Sequence, residues 1–257
     1  MNITRMTMIL AVVALLTVPA WGDWDLGDGH KMHYPQLPDP FGWDVDATIG
    51  WIADDWQCSD SGPVSDIHFW TSWEGDAGAG QLSLVWVQVF DNVPDPDGEG
   101  PGYSQPGEEL LFDRIFQPSE FTIRQPPLTG DQGWFRPYPP AAFARVSDHD
   151  LYYQVNITDI FDPFVQEKDE IYWLAIHLVP EVSDTFAGWK TSANHFEDDA
   201  VFLDESGASA VWRELRDPIN TQLSLDMAFV ITIPEPPITG LLVMGFVGVL
   251  VSRRRSH

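Results

Sequence analysis

Leu151-Tyr152-Tyr153-Gln154-Val155-Asn156-Ile157-Thr158 carries the plainest periodicity in the chain. Every second residue (Leu151, Tyr153, Val155, Ile157) is apolar and the residues between are mostly polar, the pattern of a strand buried on one face and solvated on the other. Its aromatic and β-branched content favours the same state. Moving outward, residues 223–231 alternate in the same way, whereas residues 82–90 and 171–179 are apolar on both faces, as strands in the middle of a packed sheet are. Residues 65–73, 109–116 and 209–215 give weaker strand signals, and no segment holds a helical period over ten residues. The 21 prolines and 20 glycines separate these runs, most densely at residues 91–107 and 125–140. The expected fold is all-β: a single β-sandwich of jelly-roll or Greek-key type, with about eight to ten strands and long Pro-, Gly- and Asp-rich loops.

Composition bounds the function. The 257 residues hold 39 acids against 13 Lys and Arg, a formal charge of −26. Such a surface repels a polyanion, so nucleic acid is not an expected partner. A hydrophobic content of 44%, with 12 Trp and 15 Phe, is too high for a disordered acidic chain. The lone cysteine, Cys58, can close no intrachain disulfide and build no thiolate zinc site, so the fold must rest on a buried core.

The two ends read as addresses. Arg5 precedes the apolar run 8–18, and Ala20-Trp21-Gly22 places small residues at −3 and −1 of a cleavage site. Residues 1–22 are therefore expected to be a secretory signal peptide, read by the secretion machinery and removed by signal peptidase. At the other end stand Pro234-Glu235-Pro236, an uncharged run over 238–252, and then Arg253-Arg254-Arg255. A helix over that run would span about 22 Å, short of a hydrocarbon core of about 30 Å. The arginine stems can snorkel across the difference, and their charge fixes this end on the cytoplasmic side, with the domain outside. Pro236 and Pro237 keep the tripeptide extended, as a protease requires.

Residues 234–257 resemble the PEP-CTERM sorting signal of exosortase substrates, with Gly240, Gly245 and Gly248 supplying its helix glycines. The resemblance implies exosortase as a partner acting near Pro234, Glu235 and Pro236, with Arg253, Arg254 and Arg255 as the membrane stop. The implied course is transient anchoring in the inner membrane by a C-terminal transmembrane sorting helix, then the cell surface or extracellular space. Residues 23–233 also resemble an uncharacterised domain of secreted, exosortase-sorted bacterial proteins. The resemblance is carried by Trp43-Asp44-Val45-Asp46, Ala53-Asp54-Asp55-Trp56-Gln57-Cys58, Asp66-Ile67-His68-Phe69-Trp70 and Gly188-Trp189-Lys190-Thr191-Ser192. It implies a β-rich extracellular domain and transfers no functional residue.

Within that domain, Asp91, Asp95, Asp97 and Glu99 concentrate in one ten-residue loop, a candidate Ca²⁺ site with Gly98 for the turn, although no EF-hand spacing is met. A solvated acidic connection is the simpler reading. Asp54-Asp55 and Asp198-Asp199 sit beside aromatics that could raise a carboxyl pKa for general acid work, but strand alternation sends the members of a pair to opposite faces. His30 and His33 have helical ligand spacing but lie in a segment with no helix signal and no acidic third ligand nearby, while His68 and His177, inside strands, read as packed or hydrogen-bonded groups. There is no Gly-x-Ser-x-Gly elbow and no phosphate-cradling glycine loop. The tryptophans pose the sharpest question. Trp43, Trp51, Trp56, Trp70, Trp73 and Trp134 lie beside loops or acids, where rings could stack on sugars while carboxylates bond the hydroxyls, or could pack as apolar clusters beneath the loops. The expected function is a non-enzymatic exported surface or matrix protein that meets extracellular polysaccharide. The alternatives are a secreted carbohydrate-active hydrolase with paired carboxylates, or a Ca²⁺-stabilised structural domain.

Overall fold

The computed structural model describes residues 22–95 and 102–232; the segments expected to be a signal peptide and a sorting signal, up to residue 21 and from residue 233 on, lie outside the described residues, as do Asp97 and Glu99. The domain is all-β. Its strands are β1 (Trp43–Asp46), β2 (Ile52–Gln57), β3 (Gly62–Pro63), β4 (Asp66–Trp73), β5 (Leu82–Val93), β6 (Gln105–Phe116), β7 (Phe121–Ile123), β8 (Leu128–Arg136), β9 (Phe143–Ile157), β10 (Val165–Gln166), β11 (Ile171–Pro180), β12 (Ala187–Ser192), β13 (Val201–Asp204), β14 (Val211–Glu214), β15 (Asp226–Met227) and β16 (Phe229–Thr232). The only helical turn among the described residues is the 3₁₀ segment Glu74–Asp76. The sixteen strands exceed the eight to ten expected because several are two to four residues long and leave no period in the sequence. Residues 125–140, expected as a connection, contain β8.

The larger, eight-stranded sheet runs β15-β12-β1-β8-β9-β4-β16, with β7 against β9 and a further pairing of β12 with β4. That last pairing closes β12, β1, β8, β9 and β4 into a five-stranded ring. Register fixes which side chains share a face, because partners directly across a ladder point the same way. Asp44 pairs with Lys190 and with Trp134, Gly188 with Ser72, and Trp70 with Gln154. These residues line the inside of the ring, where side chains from strands that are not neighbours touch: His149 of β9 reaches Asp44 of β1, and Lys190 of β12 lies over the Tyr152 ring. A ring of so few strands is filled by its own side chains. At Ala228 the chain leaves β12 for β4: its N–H donates to the Lys190 carbonyl, and its own carbonyl accepts from Trp70 N. The segment 226–232 thus wedges between β12 and β4 where they splay.

The end of β9 buries Leu151, Tyr153, Val155 and Ile157 towards the core, as their alternation predicts. Its other face is not solvated. Tyr152, Gln154 and Asn156 are buried as well, because the curled sheet and the segment before β1 enclose that side: Gln154 Nε2 donates to the Trp24 carbonyl and Asn156 Nδ2 to Asp23.

The second sheet runs β14-β13-β2-β11-β5-β6. One continuous core lies between it and the outside of the ring, with Val45, Phe69, Trp73, Val155, Trp189, Phe229 and Ile231 facing Ile52, Trp56, Val85, Val87, Leu174 and Ile176. Trp56 meets Phe229 edge-on across the two sheets at 6.2 Å. At about 1.5–3 kcal/mol for each large side chain taken from water, this layer supplies the driving force that disulfides do not. Residues 223–231 form strand only over β15 and β16.

Candidate functional site

Strands β5 and β11 pair along their length, and their odd and even residues divide between two environments. Val85, Val87 and Val89 of β5 and Leu174, Ile176 and Leu178 of β11 enter the core. The intervening residues face away from the ring, so Trp86 lies in register with His177, Gln88 with Ala175, and Phe90 with Trp173. On the flanks, Ile115 pairs with Trp86 and Asp113 with Gln88 from β6, while Ala53 pairs with Ala175 from β2. The result is an aromatic outer face. Trp51, just before β2, meets Trp86 at 5.0 Å and His177 at 5.5 Å between ring centroids. Farther along, Phe90 meets Trp212 of β14 at 6.2 Å.

Each of these rings is half-buried and presents part of its surface to solvent. Between the two groups lie Ala53 and Ala175, whose small side chains let the rings settle low over the sheet, with Trp173 and Val201 sealing the floor. Polar groups sit at the rim: Trp86 Nε1 donates to Asp113 Oδ1 at 2.5 Å, and Gln88 Nε2 donates to the same oxygen. Trp173 Nε1 donates to Asn92 Oδ1 at 2.8 Å. Flat aromatic faces edged by a carboxylate and amides are the chemistry that recognises the apolar faces and hydroxyls of sugars.

Behind this face lies an acidic interior. Asp54 and Asp55, adjacent on β2, take opposite faces as alternation requires, yet both are fully buried. Asp54 points to the inter-sheet side and accepts three hydrogen bonds, from Gln36 Nε2, Met227 N and Asp55 N. Its pKa is pushed well up by burial and by the nearby Asp226 and Asp55. Asp55 points to the outer side, where neither carboxylate oxygen has a hydrogen-bond partner among the described residues. Burial, and then Asp226, Glu197 and Asp198, raise its pKa too. Asp226 accepts from His195 Nδ1 at 3.2 Å and from Phe196 N at 2.6 Å, and burial leaves its pKa raised despite both. Burial carries Asp199 up to about 7 against the pull of Arg216, whose Nε is 2.7 Å away.

Of the six tryptophans singled out in the sequence, Trp51 alone joins the aromatic face. Trp56, Trp73 and Trp134 are fully buried, and Trp43 and Trp70 are exposed over only 8% and 4%. The expectation that they offer stacking platforms is corrected for those five. Trp56 and Trp73 fill the core, Trp134 lies inside the ring, Trp70 packs edge-on against Trp24 at 6.2 Å, and Trp43 bonds Asp217 through Nε1. Trp86 and Trp212 were not singled out. Trp86 sits in a run read as apolar on both faces, and an exposed ring in such a run shows only once the register with His177 is known.

The candidate calcium loop is partly described. Asp91 ends in the β5–β6 hairpin, where its Oδ1 accepts the N–H of Glu109 at 3.2 Å; Asp95 is exposed. Among the described residues no group of three or more His, Cys, Asp or Glu side chains is arranged to hold a metal. Pro234, Glu235, Pro236, Arg253, Arg254 and Arg255 lie outside the described residues. Among the histidines, His68 bridges Asn156 and Thr232, and His33 stacks on Phe196 at 3.7 Å between centroids.

Two curled sheets, one closed into a charge-lined ring and the other backed by aromatic rings, define an all-β domain whose outward chemistry is concentrated on one sheet face. The chain belongs to the DUF7901 family, a domain of unknown function, which matches residues 32–232. No curated protein matches it.

Proposed function

We propose that the protein is an exported, non-enzymatic surface or matrix protein whose β-sandwich, with its jelly-roll-like long connections, holds extracellular polysaccharide on the outer face of the second sheet. The observation that carries this reading is the cluster of Trp51, Trp86 and His177, with centroids 5.0–6.4 Å apart, half-exposed beside Gln88 and Asp113. A ring left partly in water forgoes burial energy that a core position would give it, and a cluster of such rings on one face marks a surface made for contact. The high acidity favours neutral over anionic polymers. A non-enzymatic role is supported by the placement of the crowded carboxylates Asp54, Asp55 and Asp226, all sealed from a substrate.

Export and sorting rest on the sequence of the two ends, with signal peptidase and exosortase acting in turn. The test has two arms. A glycan array and a pull-down on insoluble polysaccharides should give binding that Trp86→Ala weakens; no binding to any neutral glycan would refute the polysaccharide reading. Fractionation of cells expressing the full chain should find the domain on the surface or in the medium, and substitution of Arg253, Arg254 and Arg255 by Gln should block processing. Unprocessed chain in the cytosol would refute the sorting reading.

A further inference from the structure

The inside of the five-stranded ring holds a group of charges that the aromatic face does not use. Lys190 and Asp44 face each other directly across the β1–β12 ladder, and both are fully buried. Lys190 Nζ lies 3.1 Å from Asp44 Oδ2. His149 Nε2 lies 3.0 Å from that same oxygen, and its Nδ1 lies 3.2 Å from Asp148 Oδ2. The second oxygen of Asp44, Oδ1, has no hydrogen-bond partner among the described residues. The Tyr152 ring lies 5.1 Å from Nζ, and the Trp134 indole stands edge-on to the imidazole at 6.1 Å, so the pair is walled by aromatic surface.

An ordinary buried ion pair is a costly arrangement, because two charges leave water and every lone pair must then find a donor. Here, among the described residues, Oδ1 has no donor within ordinary hydrogen-bond geometry, and the Ser72 hydroxyl, which helps hold the Asp44 carboxyl low, is itself otherwise unpaired. The same arrangement is close to that of a reaction. An amine nitrogen is held in a water-excluded space 3.1 Å from an oxygen of the carboxyl group whose carbon it would attack, so the two reacting groups are already positioned against each other. A ring nitrogen able to carry a proton, His149 Nε2, lies 3.0 Å from the oxygen that would have to leave. Burial works against a charge on His149, yet the hydrogen bonds to Asp44 and Asp148 hold its pKa above the ordinary histidine value.

We propose that Lys190 and Asp44 condense into an intramolecular amide that ties β1 to β12 covalently inside the ring. The bond formed is Nζ–Cγ and the bond broken is Cγ–Oδ2. The ammonium gives up two of its three protons in the course of the step; both reach Oδ2, one directly across the Nζ–Oδ2 contact and one relayed by His149, and Oδ2 departs as water. No oxidant or other reactant is required. The product replaces two opposite buried charges with one neutral amide and leaves His149 and Asp148 paired as before. It would cross-link positions 146 residues apart in a chain whose single cysteine can make no such link.

The test is a mass-spectrometric peptide map of the full chain, digested after denaturation. The expected result is the peptide bearing Asp44 joined to the peptide bearing Lys190, lighter than their sum by one water, with no tryptic cleavage after Lys190. Asp44→Asn should give the same joined pair through loss of ammonia. Lys190→Arg keeps a cation beside Asp44 but lacks the amine, and should give two separate peptides. Recovery of both peptides separate and unmodified from the natural sequence overturns the proposal, as does a joined pair that persists in Lys190→Arg.

Discussion

The indole of Trp51 meets the indole of Trp86 at 5.0 Å between ring centroids, with the planes 69° apart, although one ring comes from the segment before β2 and the other from β5. The intervening strand β11 brings them together, and its His177 contacts both. Stacked aromatic contacts contribute about 0.5–1.5 kcal/mol apiece beyond area burial, so loss of one ring that touches a sugar should weaken binding by about threefold to tenfold. Trp86→Ala is expected to do this without loss of cooperative unfolding, because its ring is already half in water. Trp173→Ala, at a fully buried position on the same face, should lower the melting temperature. Isothermal titration and thermal melting of the two variants separate these effects.

Asp55 gives the second prediction. Its folded pKa is raised, and a carboxyl of this kind contributes its stability below the ordinary carboxyl range and loses it as pH rises, since the unfolded chain ionises first. Asp55→Asn removes the ionisation in a side chain of the same shape. The variant should match the natural protein near pH 4 and exceed it at pH 7 by about 1–3 kcal/mol, the scale of an unsatisfied buried polar group. Urea melts across that range measure it. A deficit at pH 7 would mean that the ionised carboxylate is satisfied in the folded protein.

His33 works in the opposite direction. Burial, with a smaller push from His30, lowers its pKa to about 4, and its Nδ1 accepts the Gln57 N–H. A neutral buried histidine contributes stability above the unfolded value near 6.5. That contribution is lost as pH falls towards about 4. His33→Gln, which cannot titrate, should flatten the acid limb of the stability profile between those values. Proton NMR of the His33 ring should show a midpoint well below that of an exposed histidine.

How much of this was legible beforehand depended on the period of each segment. The alternation of residues 151–158, the apolar runs at β5 and β11 and the missing helical period led directly to an all-β domain, because burial on one or both sides of a strand writes itself into every second residue. Curling of the sheet left no such mark. Tyr152, Gln154 and Asn156 read as solvated because they are polar, and they are buried because the ring and the segment before β1 close over them. Asp44 and Lys190 are 146 residues apart, and only the β1–β12 register places them together. The aromatic face was half legible. Trp51 stands close to the Asp54-Asp55 pair and so reads as a candidate, whereas Trp86 is hidden in a run of apolar neighbours. Trp56, Trp73 and Trp134 also stand beside acids or loops, so that criterion could not separate core from surface.

Gly133 gives the last prediction, and it follows from how β1 lies on β8. Trp43 pairs with Gly133 in the parallel ladder, and the Gly42 carbonyl accepts the Gly133 N–H at 3.0 Å. A Cβ built at Gly133 would come within 2.4 Å of the Trp43 ring, far inside contact distance. The indole cannot simply swing clear, because its Nε1 is tied to Asp217 Oδ2 at 2.9 Å and the Phe135 ring meets it edge-on at 6.4 Å. Gly133→Ala must therefore either push β1 from β8, opening the ring beside Asp44, or break the Trp43–Asp217 bond. Overpacking of this kind costs about 1–3 kcal/mol. The double variant Gly133→Ala with Trp43→Leu should recover part of the loss if the ring is the obstacle. Equal melting temperatures for the single and double variants would place the strain in the backbone of β8 instead.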